Sequence, residues 1–235
     1  MPIEEIQHAR LGRVAINTRQ NTHRVSARWK KGLLSLNVPQ GIGLPILQRI
    51  LDDMAPKLLA SRPNLLYTIN QELHLPLLNI VIRQQNFAPD RIIGCVKPNM
   101  AAIEVGSNFS FNDESTSVFI SNALCRVAKS MAADLLIPHA RKLAQRINRF
   151  PVGWTISTGH RILGQCSSNG IIALSYILLF LPEHLCNYVI YHELAHLSEM
   201  NHSLRFHQLL NSYLNGRERQ LKSELNRYEW PVLRH

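Results

Sequence analysis

The chain has 235 residues, 46% of them hydrophobic and 18% charged, with a formal net charge of +10. That length and balance exclude a disordered chain, a collagen-like chain and a disulfide-stapled miniature, and they leave enough apolar material for a sizeable core. The positive charge would attract a polyanion, yet the basic residues are scattered, so the plainer expectation is a solvated basic surface.

The opening Met1-Pro2-Ile3-Glu4-Glu5 is polar and acidic, and no secretory signal peptide is expected. Residues 14–18, 23–29 and 32–38 are short β-like runs, the last two joined by a tight Lys30-Lys31-Gly32 link. Their alternation reads as antiparallel hairpins with one solvated face. After a break at 39–43, residues 44–61 carry Ile46, Leu47, Ile50, Leu51, Met54, Leu58 and Leu59 at helical spacing, with Arg62-Pro63-Asn64 as the stop.

Residues 65–113 are less regular. Strands are expected at 77–82 and 101–105, and a loop at 108–113. Residues 115–148 form a long helical pattern with a break expected near Pro138. No internal repeat and no low-complexity segment is found.

A second β group follows at 153–157, 160–167 and 170–175, with Thr158-Gly159 and Ser168-Asn169-Gly170 supplying the turns. The apolar run 171–181 is interrupted only by Ser175, and as a helix it would span about 16 Å, half a bilayer core. A buried strand and loop explain it better than a membrane span. From Pro182 the chain turns helical, a further helix is expected at 203–213, and the tail from Gly216 is rich in charge.

Cys95, Cys125, Cys166 and Cys186 include no CxxC pair, which disfavours a zinc ribbon and a thioredoxin-like site. Reduced thiols and a cytoplasmic setting are expected.

The chemistry concentrates in His192-Glu193-Leu194-Ala195-His196, an HExxH sequence on an expected helix. Residues four apart share a helix face, so both imidazoles can reach one zinc ion. Glu193, about 100° around the helix from His192, falls beside the open position, where it can take a proton from the metal's water. His202 is the candidate third ligand, with Glu199 and His207 as alternatives. Glu199-Met200-Asn201 would turn the chain, Asn201 tolerating a left-handed conformation, and Ser203 would cap the next helix. Three nitrogens and water would complete a tetrahedral catalytic site.

Lesser candidates surround this motif. Tyr188, Tyr191 and Tyr213 are potential oxyanion donors, although core or rim positions suit them better. Cys166 reads as a small buried thiol. Nothing in the spacing selects His160, His184 or His207 as supporting groups. No GxSxG elbow and no phosphate-binding glycine loop is found.

Three ordered blocks resemble the YgjP-like metallopeptidases, minimal zincins related more loosely to the SprT-like group. Gly164-Gln165-Cys166-Ser167-Ser168-Asn169-Gly170-Ile171 is similar to the family's Trp-Gly-Ser-Cys block and the strand after it. The stretch from Asn187 to Leu197 is similar to its zinc helix, and Asn201-His202-Ser203 with Phe206 to its third-ligand block. The resemblance covers about residues 150–213. It implies His192, His196 and His202 as zinc ligands and Glu193 as general base of a metal-dependent hydrolase. Leu163 and Gln165 depart from the block's Trp and Ser, and His207 stands where the family usually has Trp. Residues 64–113 look longer than the family norm and read as an inserted segment.

The expected fold is α+β, a minimal zincin-like single domain over residues 1–235. Its antiparallel β-sheet, formed by the early and late β groups, would pack against the metal-bearing α-helices. An edge strand within 164–175 would bind an extended peptide by strand addition. The expected function is zinc-dependent hydrolysis of a peptide or protein substrate, with one zinc ion per chain, no membrane partner and an oligomeric state the sequence does not fix. The alternatives are a zinc-stabilised, non-catalytic binding module and recruitment to nucleic acid, for which no recognised module stands in the sequence.

Overall fold

Four short strands and a helix open the chain. They are β1 (Glu4–His8), β2 (Gly12–Arg19), β3 (Ser26–Lys30), β4 (Leu33–Pro39) and α1 (Leu44–Ala60). The structure, a computed structural model, describes residues 4–20, 22–30, 33–60, 67–97 and 100–233. The expected Lys30-Lys31-Gly32 link and the helix stop at Arg62-Pro63-Asn64 therefore lie wholly or partly outside the described residues. Two compact units are present, Met1–Leu66 with Asn112–Val118 and Tyr67–Phe111 with Phe119–His235.

In the first unit the strands run in the order β1-β2-β4-β3. The central pair β2 and β4 is parallel, Val14 opposite Leu34 and Ile16 opposite Leu36, and both outer pairs are antiparallel. Strand alternation puts these four apolar side chains on one face, where they form a buried core with Leu47, Leu51, Ala55 and Leu58 of α1. The Trp29 indole N–H donates to the Leu58 carbonyl at 2.9 Å, tying β3 to the end of that helix.

The second unit opens with β5 (Gln71–His74), β6 (Asn79–Gln85), β7 (Ile92–Lys97) and β8 (Met100–Gly106). Their order is β5-β6-β8-β7, with β6 and β8 parallel and both outer pairs antiparallel. This repeats the topology of the first sheet, and again a helix follows, α2 (Glu114–Arg146). The sequence hides this repeat because what recurs is the order and spacing of the strands.

Pro138 lies inside α2 without breaking it. A proline removes one helix hydrogen bond, whereas the buried face Leu124, Ala128, Leu136, Ala140 and Leu143 runs past it on both sides.

A third sheet carries β9 (Gly153–Ser157), β10 (Gly164–Cys166) and β11 (Ile171–Ser175) in the order β10-β11-β9. β10 pairs antiparallel with β11, and β11 is parallel to β9. The rest of the apolar run is a fully buried 3-10 helix, Tyr176–Phe180, whose start is capped by the Ser175 hydroxyl accepting from the Ile177 N–H. Then come α3 (Glu183–His196), α4 (Leu204–Tyr213) and α5 (Glu218–Arg227). α3 packs against β10, β11, α4 and α5.

The fold is thus α+β, with the third sheet lying on the helix that carries the HExxH sequence. The early and late β groups form separate sheets, and every sheet is mixed rather than antiparallel. In the two larger sheets the strand between the parallel partners pairs on the outside of the second, so that partner returns in the same direction as the first. Among the described residues no helix is long and apolar enough to cross a membrane.

Candidate metal centre

His192 and His196 lie one turn apart on α3, and His202 lies in the link to α4. Side-chain nitrogens of the three lie within 4.8 Å of one another. His192 Nε2 and His202 Nε2 are 3.0 Å apart. A tetrahedral ion with bonds of about 2.0–2.1 Å needs its ligand nitrogens about 3.3 Å apart, so small side-chain shifts suffice. Neither Glu199 nor His207 belongs to this convergent group.

The His196 ring is oriented by the backbone. His196 Nδ1 lies 3.0 Å from the Glu199 carbonyl, which as acceptor leaves Nε2 free as a lone-pair donor. The link after α3 turns without a left-handed Asn201, since the left-handed non-glycine residues among those described are Asn70, Asn148 and Asn215. The Asn201 carbonyl instead accepts from the Ser203 N–H at 2.7 Å. Ser203 then caps α4 as expected, its hydroxyl accepting from the Phe206 N–H at 3.3 Å. Phe206 is fully buried, and its ring lies 4.9, 4.5 and 4.8 Å from the rings of His192, His196 and His202.

Burial, and then the neighbouring His196 and His202, push the His192 pKa down to about 4. Burial lowers His196 as well. Burial thus favours the neutral form of His192 and His196, the form in which imidazole binds a divalent ion.

Glu193 is 5% exposed. Burial pushes its pKa up to about 7, against the pull of a hydrogen bond from the Cys166 backbone N–H. A carboxyl poised near neutrality beside three imidazoles suits proton transfer. Cys166 contributes this N–H, while its half-buried thiol faces the Ser167 carbonyl at 3.6 Å.

The other sequence candidates divide. Tyr188 packs edge-on to His192 at 6.2 Å, and burial pushes its hydroxyl up to about 12, so it stays protonated. Tyr191 packs on Tyr213, whose hydroxyl accepts from Arg149 at 3.1 Å. His160 meets Tyr176 and His184 meets Glu224.

His207 stands beside His202, ring centroids 6.4 Å apart, and its Nδ1 lies 2.7 Å from Glu218 Oε1. Asn211 donates to the other oxygen of that buried carboxylate at 3.0 Å. Reasoning from the sequence missed Glu218, Asn211 and the position of Gly164 against Glu193. The first two lay in a segment read as tail or helix surface, and the third is a contact between distant elements.

Three convergent imidazoles next to a buried carboxyl, on an α+β scaffold, are a side-chain set that could hold a metal ion beside a proton acceptor. The sequence profile of the YgjP-like metallopeptidase domain matches residues 28–228, and the chain belongs to this family. No curated protein and no solved structure is significantly similar to it.

Proposed function

We propose that the chain is a zinc-dependent peptidase in which His192, His196 and His202 hold the ion and Glu193 is the general base. The observation that carries this reading is the convergence of the three imidazoles within 4.8 Å beside a carboxyl whose pKa is raised to about 7. Zinc would supply Lewis acidity, polarising the scissile carbonyl and making water a nucleophile near neutral pH. Glu193 accepts the proton of the attacking water as the new C–O bond forms. It returns that proton to the amine nitrogen as the C–N bond breaks. Tyr188, protonated and close to His192, is suited to donate a hydrogen bond to the substrate.

An extended peptide is the substrate class we favour. β10 is an edge strand of its sheet and packs against α3. With the Cys166 N–H already bonded to Glu193, the backbone groups of Gly164 are those best placed to pair with a substrate. Four free thiols are in keeping with a cytoplasmic setting.

The experiment is incubation of the zinc-loaded protein with a proteome-derived peptide library, read by mass spectrometry. New termini with wild type and none with Glu193→Gln, at equal zinc content, support the reading. Bound zinc with no cleavage would favour a non-catalytic binding module instead.

A further inference from the structure

We infer that strand β10 is the device that aims the Glu193 carboxylate, with Gly164 as a positioning residue whose missing side chain makes the space. A Cβ on Gly164 would lie 2.6 Å from Glu193 Cγ, 2.8 Å from Cδ and 2.7 Å from Oε1. Such distances are far inside van der Waals contact, so carboxylate and methyl group exclude each other. Gly164 has no left-handed φ, so the backbone conformation admits other residues and only the space demands glycine.

The register of β10 explains the approach. The Leu163 carbonyl accepts from Ser175 N–H and the Ser167 N–H donates to the Ile171 carbonyl, both at 2.9 Å. Residues 163, 165 and 167 therefore turn their backbone groups toward β11, and residues 164 and 166 turn theirs outward. Glu193 lies over the face of the strand that a Gly164 side chain would occupy, within reach of the outward Cys166 N–H. The Cys166 N–H holds its carboxylate, and the bare Cα of Gly164 lets the side chain lie flat against the strand. Two positions of one strand thus fix one side chain of α3, the first by leaving room and the second by donating a hydrogen bond. A carboxylate rotated off this seat would no longer face the three imidazoles in the same way, and small misplacements of a reacting group have large kinetic effects.

The consequence for catalysis rests on Glu193 being the proton acceptor, whereas the seat itself does not. The test compares wild type, Gly164→Ala and Glu193→Ala as zinc-loaded proteins. Three quantities are measured: zinc content, cleavage of the proteome-derived peptide library, and the Cys166 amide resonance in nitrogen-15 spectra. In Gly164→Ala we expect full zinc content and a fall in turnover on the order of a hundredfold, with KM little changed. The Cys166 amide is expected to move to the position it has in Glu193→Ala.

A Gly164→Ala protein whose Cys166 amide stays at the wild-type position overturns the proposal, and so does one that shifts the amide and keeps wild-type turnover. If wild type itself cleaves nothing, the peptidase reading fails, while the amide resonance still decides the seat. Should Gly164→Ala fold poorly, Gly164→Ala with Glu193→Asp decides the matter. The shorter side chain relieves the crowding, so the double variant melts higher than the single one. An equal or lower melting temperature contradicts the proposal.

Discussion

Phe206 stacks on His196 with ring centroids 4.5 Å apart and planes 28° from parallel. The same buried ring lies edge-on to His192 and His202, so one aromatic plate backs all three imidazoles. Phe206→Ala removes the plate and leaves a cavity beneath them. The expected loss is about 3–5 kcal/mol of stability, with weaker zinc binding because the imidazoles lose their common support. Denaturant unfolding and zinc competition check this. Wild-type values for both would show that the plate is not needed.

Zinc added to metal-free protein should raise its stability. At a hundredfold excess over Kd the gain is about 2.7 kcal/mol for a site present only in the folded chain. For a protein of this size that corresponds to a Tm rise of roughly 5–10 °C. His196→Ala should show little rise. A thermal scan with and without zinc reads both, and an equal rise in the variant would place the ion elsewhere.

Burial of Glu193 has a pH signature in the metal-free protein. Its folded pKa is raised to about 7, so the folded state favours the protonated acid. That contribution is fully present below the unfolded value near 4.5 and is lost as pH rises through about 7. Glu193→Gln lacks the penalty, so its advantage over wild type should grow between those pH values and then level off at about 3 kcal/mol at most. The opposite effect of His192, whose depressed pKa removes stability as pH falls from about 6.5 toward 4, is common to both proteins and cancels. Unfolding curves at pH 5 and pH 8 test the difference. An advantage larger at pH 5 would contradict it.

The pair His207–Glu218 predicts a structural loss. His207→Ala leaves the buried Glu218 carboxylate with Asn211 as its remaining side-chain partner. The expected destabilisation is about 1–3 kcal/mol, and Glu218→Gln in the same background should recover part of it by removing the uncompensated charge. A double-mutant cycle in denaturant measures the coupling, and additive losses would mean that the two side chains act independently.

The helices and the HExxH motif were legible because their signals are local. The i, i+3, i+4 spacing of α1 and the HExxH sequence each need only a few consecutive turns of chain. The third imidazole was legible too, since a short link and a capping Ser203 leave His202 few places to go.

What stayed hidden depends on pairing at a distance. β1, β5 and β7 carry weak alternation and become strands because a neighbour supplies their hydrogen bonds. α5 reads as a charged tail because its buried positions, Glu218 and Leu221, are so few. The closeness of Gly164 to Glu193 joins residues 29 apart in sequence, and glycine carries no side-chain signal that could announce it.

The zinc site proposed for His192, His196 and His202 stands or falls on bound metal. Its most direct test is the metal content of purified, untagged protein by elemental mass spectrometry, beside His196→Ala. About one zinc per chain, lost in the variant, is the expected result. Absence of bound zinc in the wild type, even after reconstitution with the metal, would contradict the account.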